Sequence, residues 1–199
     1  QKLPISKGNS FLAHRFESPY FETPWHYHEE FEILLCDGGW GKKYVGNHLS
    51  EYKEGDVLFL GSNLPHWFAA DESIYIEKKV KPASIVIQFT KTGFGESFFE
   101  LEEMNKIQEM LQNSANGLEF FGTSREKFAH QIKSILEKRG VKRFLSLVML
   151  IEDMSRSEES SKLTLNPVLG RSSLDSPRMD AILQFLSANF SREIRLEEV

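Results

Sequence analysis

One spacing constrains this chain more than any other. His26 and His28 are separated by a single residue, Glu32 follows after three more and Gly39 after a further six; later, ten residues separate Gly55 from His66. Alternate side chains of a β-strand share a face. A strand running straight through the first segment therefore turns His26, His28 and Glu32 the same way, and His66 joins them from a second short strand. Three imidazoles and a carboxylate aimed at one interior make a donor set for a divalent first-row metal. The bland alternative is a group of solvent-facing or internally satisfied histidines, with Glu32 paired to one of them.

The surrounding sequence supplies the strands. From about Ser10 to Phe89, short segments rich in aromatic and β-branched residues are separated by turn signals such as Asp37-Gly38-Gly39, Gly46-Asn47, Glu54-Gly55-Asp56 and Gly61-Ser62-Asn63. Phe31–Cys36 and Val57–Leu60 are apolar runs, and further strands are expected at Ser73–Lys79 and Ser84–Phe89. Many short strands at this spacing argue for a sandwich or a barrel. After Gly95 the pattern changes to helical spacing: Leu101, Met104, Ile107, Met110 and Leu111, then Phe128, Ile132, Ile135 and Leu136 behind a Ser124 cap, then an apolar face from about Val141 to Met154. The Ser-rich, charged stretch that follows reads as a linker. Pro177 then opens a fourth helix, and Ile194–Val199 reads as the start of a fifth.

The two-part spacing resembles the motif of the cupin barrels, with Gly61 and Asn63 standing where cupin enzymes usually carry Pro and Gly. Those two positions shape the turn before His66. The resemblance implies a mainly β fold with appended α structure: a cupin (double-stranded β-helix, jelly-roll) barrel followed by a helical segment. It also implies one divalent transition metal, Fe, Mn, Ni or Zn, on His26, His28, Glu32 and His66. Trp40, Tyr44 and Trp67 flank these residues in sequence and are candidates for lining a ligand pocket, although packing is the commoner role for such aromatics. Glu30 shares the parity of His28 and Glu32 and is expected to turn to solvent. His14, His48 and His130 match no ligand spacing, and Cys36, in an apolar strand, is expected to be buried and inert.

The C-terminal third extends the resemblance. Ser176–Phe190 followed by Ile194-Arg195-Leu196-Glu197-Glu198-Val199 is similar to the entry into the DNA-binding domain of AraC-type transcriptional regulators, and Trp25–Glu32, Gly55-Asp56 and Asn63–His66 look like the sensor half of that family. The resemblance implies a cupin sensor barrel over residues 1–95, a helical dimerisation segment over 96–156, a linker over 157–176, and the incomplete start of a helix-turn-helix domain over 177–199. A homodimer with a small-molecule effector, sugars being common in the family, follows from it. Contact with operator DNA would come only through a C-terminal domain beyond this sequence, so no DNA-binding residue is assigned within it. The reading is that of a bacterial cytoplasmic regulator rather than an enzyme. Alternatives are a metal-dependent cupin enzyme, such as a dioxygenase or isomerase, and a metal-free binding module whose histidines contact the ligand directly.

Charge and composition fit. The net charge is −5 and neither half of the sequence is basic, which argues against a phosphate-binding face. With a single cysteine no internal disulfide can form. No apolar run approaches the roughly 18 residues of a membrane span, and no signal peptide is visible; both termini read as cut ends. There is no Gly-x-Ser-x-Gly, Walker-type loop or dinucleotide fingerprint.

Overall fold

Three central strands, Phe31–Gly38, Val57–Leu60 and Ala83–Phe89, bury both faces, and that doubling sets the architecture. The computed structural model describes residues 8–17, 22–77 and 80–166, with Ile182, Phe185 and Arg195. In chain order the strands are β1 (Phe11–Glu17), β2 (Glu22–His26), β3 (Phe31–Gly38), β4 (Trp40–Val45), β5 (His48–Lys53), β6 (Val57–Leu60), β7 (His66–Ala70), β8 (Ala83–Phe89), β9 (Leu118–Phe120) and β10 (Ser160–Lys162). The α-helices are α1 (Glu72–Glu77), α2 (Asn105–Asn113), α3 (Gly122–Glu137) and α4 (Gly140–Ser155). Two antiparallel sheets form, in the orders β1-β8-β3-β6-β9-β10 and β2-β7-β4-β5. They face one another as a jelly-roll barrel of the cupin type, and the larger sheet carries the helices on its outer face.

Alternation along the central strands divides the core in two. Phe31, Ile33 and Leu35 of β3, Val57 and Phe59 of β6, and Ile85, Ile87 and Phe89 of β8 join Ile107, Phe128, Ile132, Leu147, Ile151 and their neighbours in one cluster beneath the helices. The intervening residues Leu34, Cys36, Leu58, Leu60 and Val86 point inward and meet Val45, Tyr52, Leu64 and Phe68 from the second sheet and the loop before it. This parity is the reason β3 reads as a continuous apolar run rather than an alternating one.

Three local expectations change. Residues 73–79 were read as strand, but Glu72–Glu77 is a helical turn. Asp71 explains it: its carboxylate accepts the Ser73 backbone N–H at 3.0 Å, the cap that starts a helix, and Glu72 sits favourably in the first turn. Ile74 then packs beneath Gly39, whose φ of +84° and close neighbours Ile74 and Pro82 leave no room for a side chain. Second, β2 does not run on into β3. Residues 27–30 leave the strand, and the polypeptide crosses from one sheet to the other between His26 and Phe31. Third, the beginning of the stretch read as a linker is docked: Ser160–Lys162 pairs with β9, and Thr164 is buried against Asn116. Its polar composition serves tertiary hydrogen bonds. Glu159 accepts the Ser124 N–H at 2.7 Å at the start of α3, taking the capping role expected of the Ser124 side chain. Of the expected helices at 177–190 and 194–199 only Ile182, Phe185 and Arg195 are described, the first two in helical conformation; the rest lies outside the described residues.

Candidate functional site in the barrel interior

The chain crossing at residues 27–30 brings the motif together from three strands. His26 ends β2, opposite His66 at the start of β7; Glu32 lies in β3, and Gln88 is its register partner on β8. The ring centroids of His26 and His66 are 4.2 Å apart, those of His28 and His66 5.2 Å and those of His26 and His28 5.7 Å. One nitrogen from each of the three rings lies within 4.8 Å of the others. His28, Glu32, His66 and Gln88 are all buried.

Hydrogen bonds fix which nitrogens can donate electrons. His28 Nδ1–H donates to the Glu30 carbonyl at 3.0 Å, and His66 Nδ1–H donates to the Leu64 carbonyl at 2.8 Å. A carbonyl only accepts, so both Nδ1 atoms carry hydrogen and both Nε2 lone pairs turn inward in the neutral rings. His66 Nε2 is fully buried and has no hydrogen-bond partner among the described residues; it lies 3.9 Å from Glu32 Oε1. His28 Nε2 stands 3.1 Å from Glu32 Oε2. Gln88 Nε2–H donates to that same oxygen at 2.8 Å and lies 3.2 Å from His28 Nε2.

Facing acceptors of this kind call for a positive charge, either a proton or a metal ion. The titration directions agree. Burial pushes the Glu32 carboxyl up, but the hydrogen bond from His28 and the charges of His66 and His28 outweigh it, bringing the group to about 2. Burial opposes the imidazolium of His28, yet the hydrogen bond and charge of Glu32 raise its pKa overall. Burial dominates at His66 and lowers its pKa, which keeps its Nε2 lone pair available. Orphaned Nε2, fixed tautomers and a backed carboxylate fit the requirements of a divalent transition ion.

The structure redistributes the other candidates. Glu30 is buried, only 6% exposed, with Oε2 3.6 Å from His28 Nδ1, because the crossing turns it inward instead of leaving it on a strand face. Trp40, Tyr44 and Trp67 do not line the same space as the histidines. Their parity is opposite to that of buried Gly41, Lys43 and Val45 on β4 and of His66 and Phe68 on β7, so they lie on the outer face of the smaller sheet, where Tyr44 meets Trp25 edge-on at 5.1 Å. Cys36 is buried and burial pushes its thiol pKa up, as expected of an inert cysteine. His14 and His130 are exposed and His48 is half-buried. Gln88 and Lys43 were not anticipated. Asn63 occupies the left-handed region at φ +59°, which explains how it replaces the usual glycine in the turn before His66.

Residues 9–78 match the family model described as AraC-like ligand binding domain. No curated protein matches the chain. Among solved structures, ToxT from Vibrio cholerae O395 aligns over 95% of this chain and 67% of its own, with 14% identity and a TM-score of 0.44. CuxR, an AraC-like transcriptional activator, aligns over 94% and 60%, with 13% identity and a TM-score of 0.43. Oxalate decarboxylase from Bacillus subtilis, described as having Mn(II) centres, aligns over 42% of this chain and only 22% of its own, with 17% identity and a TM-score of 0.34. No helix among the described residues is long and apolar enough to cross a membrane. Residues 9–78, which hold His26, His28, Glu32 and His66, are thus similar to AraC-like ligand binding domains, on a barrel of cupin fold.

Proposed function

We propose that this chain is the sensing portion of an AraC-type transcriptional regulator, with a small-molecule effector, such as a sugar, bound in the barrel interior. The observation that carries the proposal is the interior group of half-buried His26 with buried His28, Glu32, His66 and Gln88; all but Gln88 fall within the segment that matches a ligand-binding domain. A polar group of this size inside a barrel is costly to retain for stability alone. His26, His28, Glu32 and His66 would hold one divalent ion, iron, manganese, nickel or zinc, with Gln88 orienting Glu32. Such an ion supplies a Lewis-acidic position for an oxygen donor of the effector. The chain's own residues fix the tautomers of His28 and His66 and keep Glu32 ionised.

Ligand occupancy would alter operator engagement by a C-terminal DNA-binding domain through a homodimer in the cytoplasm. Support for dimerisation comes from α4, where Val141, Leu145 and Met149, spaced four apart, are 73%, 53% and 57% exposed. Sedimentation velocity checks this: a dimer is expected at micromolar concentration, and a monomer there counts against it.

A metal-dependent cupin enzyme, a dioxygenase or isomerase, is the second reading, favoured by the same four donors. Elemental analysis of the purified chain beside a His26→Ala/His28→Ala variant is the first test. One equivalent of metal in the parent and none in the variant supports the four-residue centre. Absence of metal after supplementation with all four ions sinks it and leaves direct hydrogen bonding to the effector as the sensing chemistry.

A further inference from the structure

Beneath the histidines lies a second polar feature that the proposed centre does not use. Lys43 leaves 2% of its surface to solvent. Strand alternation sends it, with Gly41 and Val45, into the space between the sheets. Its register partner on β7 is Phe68, two residues along from His66, so Lys43 lies one layer, about 7 Å, from the histidine layer. Its ammonium crosses the interior and donates to the carboxylate of Glu119 on β9.

Glu119 is paired with Leu58 of β6 on one side and with Ser161 of β10 on the other, while its neighbours Leu118 and Phe120 pack beneath the helices. Beyond β10, the Leu163 N–H donates to the Gly117 carbonyl at 2.9 Å and the Thr164 N–H to the Asn116 carbonyl at 3.0 Å; Asn116 Nδ2 returns a bond to the Thr164 carbonyl at 2.9 Å. Leu163 packs on the interior cluster. The side chains of Val45, Leu163 and Leu64 close around Gly117, where a Cβ would stand 2.9, 3.3 and 3.4 Å from them. Val45 is the register partner of His66, and Leu64 supplies the carbonyl that fixes the His66 tautomer.

We propose that residues 160–164 form a strap through which the barrel interior controls the chain beyond it. The Lys43–Glu119 pair holds β9 and, through β9, the edge strand β10; Leu163 rests on the side chains that flank His66. A buried ammonium is costly without its counter-charge, so Lys43 follows any rearrangement that offers another anion or withdraws Glu119. The three-residue edge strand and the two residues after it are held by the ladder to β9 and by bonds to Gly117 and Asn116, so a shift of β9 carries the whole strap with it. The functional meaning of the strap rests on the sensing role proposed for the barrel, but its mechanics do not, and each fails separately. Loss of metal and ligand binding would overturn the sensing role and leave the strap intact.

Hydrogen exchange read by mass spectrometry on the full chain tests the strap. Lys43→Met and Leu163→Ala are each expected to speed exchange of the amides at 160–164 by about tenfold or more, with the β3 and β8 amides unchanged. The paired apolar replacement Lys43→Met/Glu119→Leu removes both charges together and is expected to bring strap protection back toward that of the parent. Unchanged strap exchange in the single variants overturns the proposal. So does acceleration that spreads equally to β3 and β8, since that reports general loss of stability.

Discussion

The two faces of the larger sheet are built from the same strands and do different work. Facing the helices, Ile33, Phe59, Ile87 and Phe89 bury aliphatic and aromatic surface completely. Facing the barrel, one residue along on each strand, stand Glu32, Leu58, Val86 and Gln88. The helix-side cluster is aliphatic and aromatic, so its residues add stability in proportion to the apolar area they remove from water. The interior carries Glu32, His28, His66 and Lys43, each of which costs desolvation and is kept in place by specific partners. The difference teaches that apolar packing and the buried polar groups proposed to bind ligand are separated residue by residue, by parity alone.

The most forceful way to break that separation is to weaken the helix side. Phe59 is fully buried between Phe31 and Phe89, with ring centroids 6.2 Å from each. Phe59→Ala is expected to cost about 3–5 kcal/mol, the transfer free energy of the ring plus the cavity it leaves. Urea unfolding measures it. Under folding conditions the metal stoichiometry should stay that of the parent, because the ring points away from the histidines. A variant that keeps its stability, or that stays folded and loses metal, would show that the two faces are not independent.

Much of this arrangement was legible in the sequence because it depends on local periodicity. The apolar runs Phe31–Cys36 and Val57–Leu60 are strands, and the period-3.6 faces at Ile107–Leu111, Phe128–Leu136 and Val141–Met154 lie on α2, α3 and α4, as expected. The His26, His28 and His66 grouping was also readable, although for a reason that needed amendment: the segment does not continue as one strand, and the crossing at 27–30 assembles the group instead. What stayed hidden depends on partners distant in sequence. Gln88 reaches His28 across 60 positions and Glu32 across 56. Lys43, within Gly-Lys-Lys-Tyr, looks solvent-facing until Glu119, 76 positions away, is placed opposite it. The stretch 157–166 is polar because its hydrogen bonds go to Asn116, Gly117, Phe121 and the start of α3, not because it is unattached. Composition records polarity but not the partner. Ser73–Lys79 reads as a strand by composition, whereas the Asp71 cap starts a helix at Glu72.

A finer test works from the interior side. Gln88 donates to Glu32 Oε2 and lies within hydrogen-bond distance of His28 Nε2, while Ile87, its neighbour, faces the helices. Gln88→Leu keeps most of the volume and removes the donor. The expected loss of stability is about 1–3 kcal/mol, the cost of leaving the buried carboxylate short of one partner. In the proposed metal centre the larger relative effect should fall on metal affinity, weakened roughly 10- to 100-fold because Glu32 is no longer held in orientation. Ile87→Val is the control: it should lower stability by about 1 kcal/mol with unchanged metal affinity. Competition titration against a chromophoric chelator, beside urea unfolding of the same samples, separates the two quantities. If Gln88→Leu and Ile87→Val alter stability and metal affinity in the same proportion, Gln88 is a packing residue, and the interior face has no privileged role at that position. If only Gln88→Leu moves the affinity, the hydrogen bond to Glu32 is what sets this centre apart from the apolar face behind it.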